Sequence, residues 1–405
     1  MGRNVKRLSD DFIKLLAVSS GHFINDFYMN LIPPILFIFV DELSLTLSQQ
    51  GLLASVIVIG GSFAQPAVGY LVDKKGKPWL LIVSVLWIAV WMSISGLINN
   101  YYALILALTL ASLASALYHP LGTATTVMLG KGSQGKSLSA FMTVGGLAAS
   151  ATPLVALPIA RNFGLGSLIY FMFPGIIIAG LMYLAKVQNI TLKKENPMNP
   201  ITDVKIPGKC IKWVSVMIFI STNQELIRKL LVTFGVQILL LKQISLTVSG
   251  IALSAYLFFN IAGTVVGGYL SDTIDNKKVI LLFNLLTGLF IALLVLSPST
   301  SLVILAFVMI GFTIGGSSTA NIILTQELIP QRVNMATGLI MGFASGLAGL
   351  GILLFGTVAE HLGLLITTGL LLAPMILVNI VTLTIPNKQA LADIVSKDTS
   401  VFNGK

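Results

Sequence analysis

His22, Asn25 and Asp26 lie inside a long apolar stretch, and so do Asn223, Gln224, Glu225, Arg228 and Lys229. A charge near the centre of a bilayer costs a few kcal/mol, so such residues face a cavity or a partner and mark ion or substrate paths. His22 and Asp26 are four residues apart and share one helical face, which Met29 and Pro33 continue. A carboxylate in a poorly hydrated cavity suits proton exchange near neutrality. Asp26 is therefore the first candidate for proton coupling, with His22, His119 and Glu225 beside it. His119 precedes Pro120, whose ring frees a backbone carbonyl and kinks a helix. It would either relay protons or serve that carbonyl. Arg228 suits a phosphonate or carboxylate through paired N–H donors. Arg228, Lys229, Gln224 and Asn25 are the candidate substrate contacts. The rival reading is static neutralisation, Asp26 by Arg228 or Glu225 by Lys229 four residues on.

These groups must be carried by membrane helices. Of the 405 residues, 55% are hydrophobic and only 10% charged, far below the roughly 25% charged residues of soluble domains. A bilayer-spanning helix needs about 20 apolar residues. Twelve segments meet this: 12–40, 49–72, 79–98, 101–127, 137–160, 164–185, 211–241, 247–271, 277–297, 301–325, 333–358 and 364–385. The segments repeat by half-chains. Ser44-Leu45-Thr46-Leu47-Ser48 returns 201 positions later as Ser245-Leu246-Thr247-Val248-Ser249, and Gly69-Tyr70-Leu71-Val72-Asp73 returns as Gly268-Tyr269-Leu270-Ser271-Asp272. Such a repeat predicts an all-α membrane protein of two pseudo-symmetric six-helix bundles, 1–190 and 211–385. A linker at 191–210 and a tail at 386–405 complete the chain. Of the 25 Lys and Arg, 21 fall on one side of this arrangement. The positive-inside rule then places the linker and both termini in the cytoplasm. The net charge of +10 thus reads as membrane orientation, and no nucleic-acid partner is expected. The single cysteine, Cys210, excludes an intrachain disulfide.

Between the second and third segments the sequence runs Gly69-Tyr70-Leu71-Val72-Asp73-Lys74-Lys75-Gly76-Lys77-Pro78. It resembles the signature loop of the major facilitator superfamily, glycine–x–leucine–x–aspartate–basic–x–glycine–basic. The resemblance implies a conformational latch formed by Gly69, Asp73, Lys74, Gly76 and Lys77, with a degenerate copy at Asp272. Gly21-His22-Phe23-Ile24-Asn25-Asp26, Tyr118-His119-Pro120, Val144-Gly145-Gly146 and the glycine-rich run 338–356 occur in the order found in the fosmidomycin-resistance group. That resemblance spans most of residues 20–365 and implies export of a drug or small metabolite against inward proton flow. Two departures stand out: Leu121 occupies a position often acidic in that group, and the fourth segment lacks the arginine that many drug/proton antiporters carry there.

The expected function is secondary active transport by alternating access: proton-coupled export of a small, in one reading anionic, compound. An uptake symporter or uniporter is the nearest alternative, since fold fixes neither direction nor substrate. A sensor that has lost transport stands further off. No H-E-x-x-H, G-x-S-x-G or P-loop pattern is present, so neither an enzyme nor an ATP-driven pump is expected. No cofactor is expected, and no metal site, the three histidines lying on three distant segments. The expected partners are a small-molecule substrate, protons and the lipid bilayer. The chain is taken to be a monomer in the plasma membrane of a prokaryote. The small residues of the fifth and eleventh segments predict close helix packing.

Overall fold

The computed structural model describes residues 2–75, 77–130, 134–191, 208–330, 333–387, 389 and 391, and the side chains of these except 2–9, 66–75, 134, 135, 208, 209, 333 and 334. Among the described residues there is no strand. Contacts divide the chain into two compact units, Met1–Glu195 and Asn196–Lys405.

The first unit contains α1 (Gly2–Met29), α2 (Leu47–Lys75), α3 (Trp79–Ile94), α4 (Tyr101–Leu129), α5 (Gln134–Phe163) and α6 (Met172–Leu184). The second contains α7 (Gly208–Leu241), α8 (Leu246–Thr273), α9 (Asn276–Leu296) and α10 (Thr300–Leu328). Its α11 is composite, Val333–Thr337, a π-helix over Gly338–Phe343, then Ala344–Leu362. Two pieces, Leu364–Leu370 and Leu372–Thr384, make α12. Within the first unit α2 and α3 pack on α4, α1 packs on α4 and α5, and α3 on α6. The second unit repeats the scheme: α8 and α9 on α10, α7 on α10 and α11, and α9 on α12. The sequence repeat is thus a repeat of helix pairing.

Among the described residues eleven stretches are long and apolar enough to cross a membrane. The helix that this excludes is α7, 34 residues long and about 50 Å end to end. It carries Glu225, Arg228 and Lys229 among its apolar residues. Large apolar side chains are exposed on both units, among them Leu106, Phe173, Leu289 and Leu354.

The sequence reads 12–40 as one unbroken helix, but α1 stops at Met29. Pro33 and Pro34 lack the N–H groups that would continue it, and the chain resumes as a 3₁₀ turn, Pro33–Ile35, and a short helix, Leu36–Leu43. The stretch 69–75, read as a loop, is the helical end of α2. The side chains of Gly69, Asp73 and Lys74, and the whole of Gly76, lie outside the described residues. Lys77 is exposed, as is Asp272 in the last turn of α8. Beyond Asp272, Asp275 caps α9 by accepting from the Lys277 backbone N–H at 2.9 Å. Lys277 Nζ donates to the carbonyls of Leu383 (2.8 Å) and Ile385 (2.5 Å), tying the start of α9 to the end of α12. His361 sits exposed in the last turn of α11.

Close packing is most severe between α8 and α10. A Cβ on Gly263 would lie 1.9 Å from the Phe312 carbonyl oxygen, and one on Gly315 would lie 2.0 Å from that of Asn260. Backbones that close admit only glycine. In α11, by contrast, a Cβ on Gly338 or Gly342 meets nothing within 4 Å, so close packing is not what those two glycines serve. Gly315→Val should cost about 1–3 kcal/mol by overpacking and lower the midpoint of thermal unfolding by several degrees. Gly288→Ala, which adds its methyl to open space in the middle of α9, should hold the midpoint or raise it slightly through helix propensity; thermal melts of the purified protein in detergent check both.

Candidate functional site

The polar residues of α1 converge with those of α4 and α5 inside the first unit. His22 and Asp26 sit one helical turn apart, with Nε2 of His22 3.3 Å from Oδ2 of Asp26. From α4, His119 brings its Nε2 to 3.3 Å from the other oxygen, Oδ1. The expectation that the histidines lie too far apart to meet fails for two of the three. Helix packing makes neighbours of residues 97 positions apart, and donor atoms of His22, Asp26 and His119 all lie within 4.8 Å of one another. Among the described residues this is where a small cation, a proton included, could be held.

The surroundings fix the orientation of each group. His22 is 2% exposed, and its Nδ1 donates to the Phe141 carbonyl of α5 at 2.7 Å. The imidazole stacks on the Phe141 ring, centroids 3.9 Å apart at 6°, and lies parallel to Tyr118 at 6.3 Å. The Tyr118 hydroxyl donates to the Val18 carbonyl at 2.6 Å, tying α4 to α1. Gly145 lets α5 approach this closely: a Cβ there would stand 2.4 Å from Asp26 Oδ2 and 2.5 Å from His22 Cε1. Asp26 and His119 are partly open, with side chains 19% and 30% exposed. The cluster is therefore buried at His22 and accessible at His119.

Asn25, an expected substrate contact, lies inside the helix packing. It is fully buried, and its amide donates to Asp26 Oδ1 at 3.0 Å and to Ser115 Oγ at 3.2 Å. Those bonds hold Asp26 in place.

In the second unit α7 carries two cations on one carboxylate. Arg228 donates to Glu225 through Nε (3.1 Å) and Nη2 (2.6 Å), and Lys229 Nζ lies 3.7 Å from Oε2. The three side chains are 17–28% exposed, and their formal charges sum to +1. Gln224 points elsewhere. It is 2% exposed and donates to Asn284 Oδ1 (3.1 Å) and Ser317 Oγ (2.6 Å) of α9 and α10. One turn away Asn321 donates to Ser221 and to the Met217 carbonyl. The polar seam of Gln224, Asn284, Ser317, Asn321 and Ser221 joins three helices through the interior of the unit. Sequence reasoning missed all of it except Gln224. Isolated asparagines within the apolar segments of α9 and α10 were the available signal, since an unpartnered amide in lipid is costly.

The sequence profile of the Major Facilitator Superfamily matches residues 18–241 and 216–399, which covers both units. The chain belongs to the major facilitator superfamily. It is a multi-pass membrane transporter rather than an enzyme, with the all-α fold of that family. Among curated relatives, the fosmidomycin resistance protein of Escherichia coli (strain K12) is 29% identical over 353 residues, 85% of this chain and 86% of that one. An uncharacterised facilitator-type transporter of Bacillus subtilis (strain 168) is 23% identical over 94% of each chain. Among solved structures, the nucleoside transporter NupG superposes with a TM-score of 0.76 at 12% identity, over 92% of this chain and 98% of its own. That likeness is one of facilitator fold.

Proposed function

We propose that this facilitator is a proton-coupled exporter of a small drug or metabolite with an anionic group, working by alternating access. The observation that carries the reading is the convergence of Asp26 with two imidazoles, one buried and one accessible. A carboxylate so placed can load and release a proton, and its charge changes the relative stability of two conformations. The surplus cation of Glu225, Arg228 and Lys229 supports an anionic substrate group, to which a guanidinium offers directed N–H donors. The name of the Escherichia coli relative supports drug export, and the excess of basic residues at the termini and linker supports a cytoplasmic location for both ends.

The test is fosmidomycin susceptibility of a pump-deficient bacterium expressing the chain, alongside everted vesicles under an imposed pH gradient. Raised resistance that a protonophore abolishes is expected, with proton movement on addition of substrate to the vesicles. Unchanged resistance, with the protein confirmed in the membrane, would remove fosmidomycin as substrate. Accumulation by intact cells driven by inward proton flow would reverse the direction and make the chain a symporter.

A further inference from the structure

A carbonyl oxygen only accepts, so the 2.7 Å contact with Phe141 requires His22 Nδ1 to carry a hydrogen. The ring packs against Phe141 and lies parallel to Tyr118, and its other nitrogen, Nε2, comes to 3.3 Å from Asp26 Oδ2. That nitrogen is buried and has no hydrogen-bond partner of good geometry. In neutral His22 it bears a lone pair. Set against a carboxylate oxygen at 3.3 Å, two acceptors would face each other. Asp26 Oδ1 already accepts from the Asn25 amide at 3.0 Å, with His119 Nε2 3.3 Å away. The open proton position lies between Oδ2 and Nε2.

We infer that the coupling proton is shared between Asp26 Oδ2 and His22 Nε2, with the Phe141 carbonyl making His22 the co-acceptor by fixing its tautomer. The arrangement described is then the proton-loaded one. This rests on the proton-coupled reading above and adds where the proton sits. The balance is one proton in either form, a carboxyl donating to Nε2 or an imidazolium donating to the carboxylate. Release leaves a lone pair facing a carboxylate, so the unloaded state must separate the two groups. It does so by moving α1 relative to α5, or by turning the ring off the Phe141 carbonyl. Loading is thereby linked to the α1–α5 contact. The other titratable groups facing the pair are His119 and Tyr118 of α4. The described charged residues of α5, Lys136 and Arg161, lie near its ends; α3 carries none, and Tyr183 of α6 is 62% exposed. Asp10, Asp11 and Lys14 lie at least two turns away along α1.

The chain has three histidines, so nitrogen-15 NMR of the full-length, histidine-labelled protein can separate them. His119→Gln and His361→Gln spectra supply the assignments. The expected result is that neutral His22 carries its hydrogen on Nδ1, and that its Nε2 resonance shifts with pH together with the Asp26 carboxyl. His22→Gln should reduce proton-driven transport in vesicles about tenfold at neutral pH, with recovery at acidic pH, a tenfold change corresponding to one pH unit of proton binding. A neutral Nε2–H tautomer would overturn the inference and leave Asp26 as sole acceptor. So would a His22→Gln pH profile identical to that of the native chain. Absence of any substrate-driven proton movement in the native chain would overturn the functional reading, and this inference with it.

Discussion

Asp26→Asn should abolish gradient-driven export while leaving substrate exchange intact. The asparagine amide fills the same space and can still donate to His22 Nε2, so the bond pattern around Asn25, His22 and His119 survives. What it cannot do is give up a proton. Uphill transport under an acid-outside gradient should fall about 100-fold or more, the scale expected when an essential proton-transfer group is removed. Exchange of labelled for unlabelled substrate without a gradient needs no net proton movement and should stay within about threefold. Thermal stability should change by no more than about 1 kcal/mol, since geometry is kept and a partly buried charge removed. Vesicle flux measured in the two modes separates the cases. Loss of both would mean that Asp26 shapes the binding site, and retention of both would move proton coupling elsewhere.

How much of this was legible beforehand follows from what a linear pattern records. Helix number and repeat come from apolar run length and recurring motifs, which act locally along the chain. The pairing of His22 with Asp26 was readable because both lie on α1, one turn apart. Their meeting with His119 and with the Phe141 carbonyl was not, because it depends on how α1, α4 and α5 pack. In α11 the expectation of close packing fails at Gly338 and Gly342 but holds at Gly351, where a Cβ would lie 2.7 Å from Leu226, and the closer approach of α8 and α10 is not anticipated. Glycine marks close approach only where another backbone arrives, as at Gly263 and Gly315. Asn25 and Gln224 were read as substrate contacts for their polarity alone. Their burial shows that polar side chains within membrane helices also serve helix pairing, and one sequence does not separate the two uses. The break after Met29 was written at Pro33-Pro34, but a span long enough to cross the membrane masked it.

The α7 cluster separates charge neutralisation from anion recognition through three variants with different net charge. Glu225→Gln leaves Arg228 and Lys229 adjacent and uncompensated at membrane depth, which should destabilise the chain by about 3 kcal/mol. Arg228→Gln leaves Glu225 facing Lys229 as a neutral pair, so its stability should fall by only about 1 kcal/mol. Transport should respond in the opposite order. The neutral pair has lost the surplus positive charge and the guanidinium donors, so KM for an anionic substrate should rise about tenfold to 100-fold, the worth of one charge-assisted contact. The double variant Glu225→Gln, Arg228→Gln regains one net positive charge in Lys229. It should recover most of the stability lost in Glu225→Gln, while KM stays raised for substrates that need two directed donors. Thermal melts and vesicle uptake kinetics on the same preparations give both quantities. If Arg228→Gln left KM unchanged, Arg228 would serve only to neutralise Glu225, and the anionic group would be recognised elsewhere. A static neutralising cluster would balance its charges; two cations on one carboxylate do not, and that surplus is the reason to expect an anion.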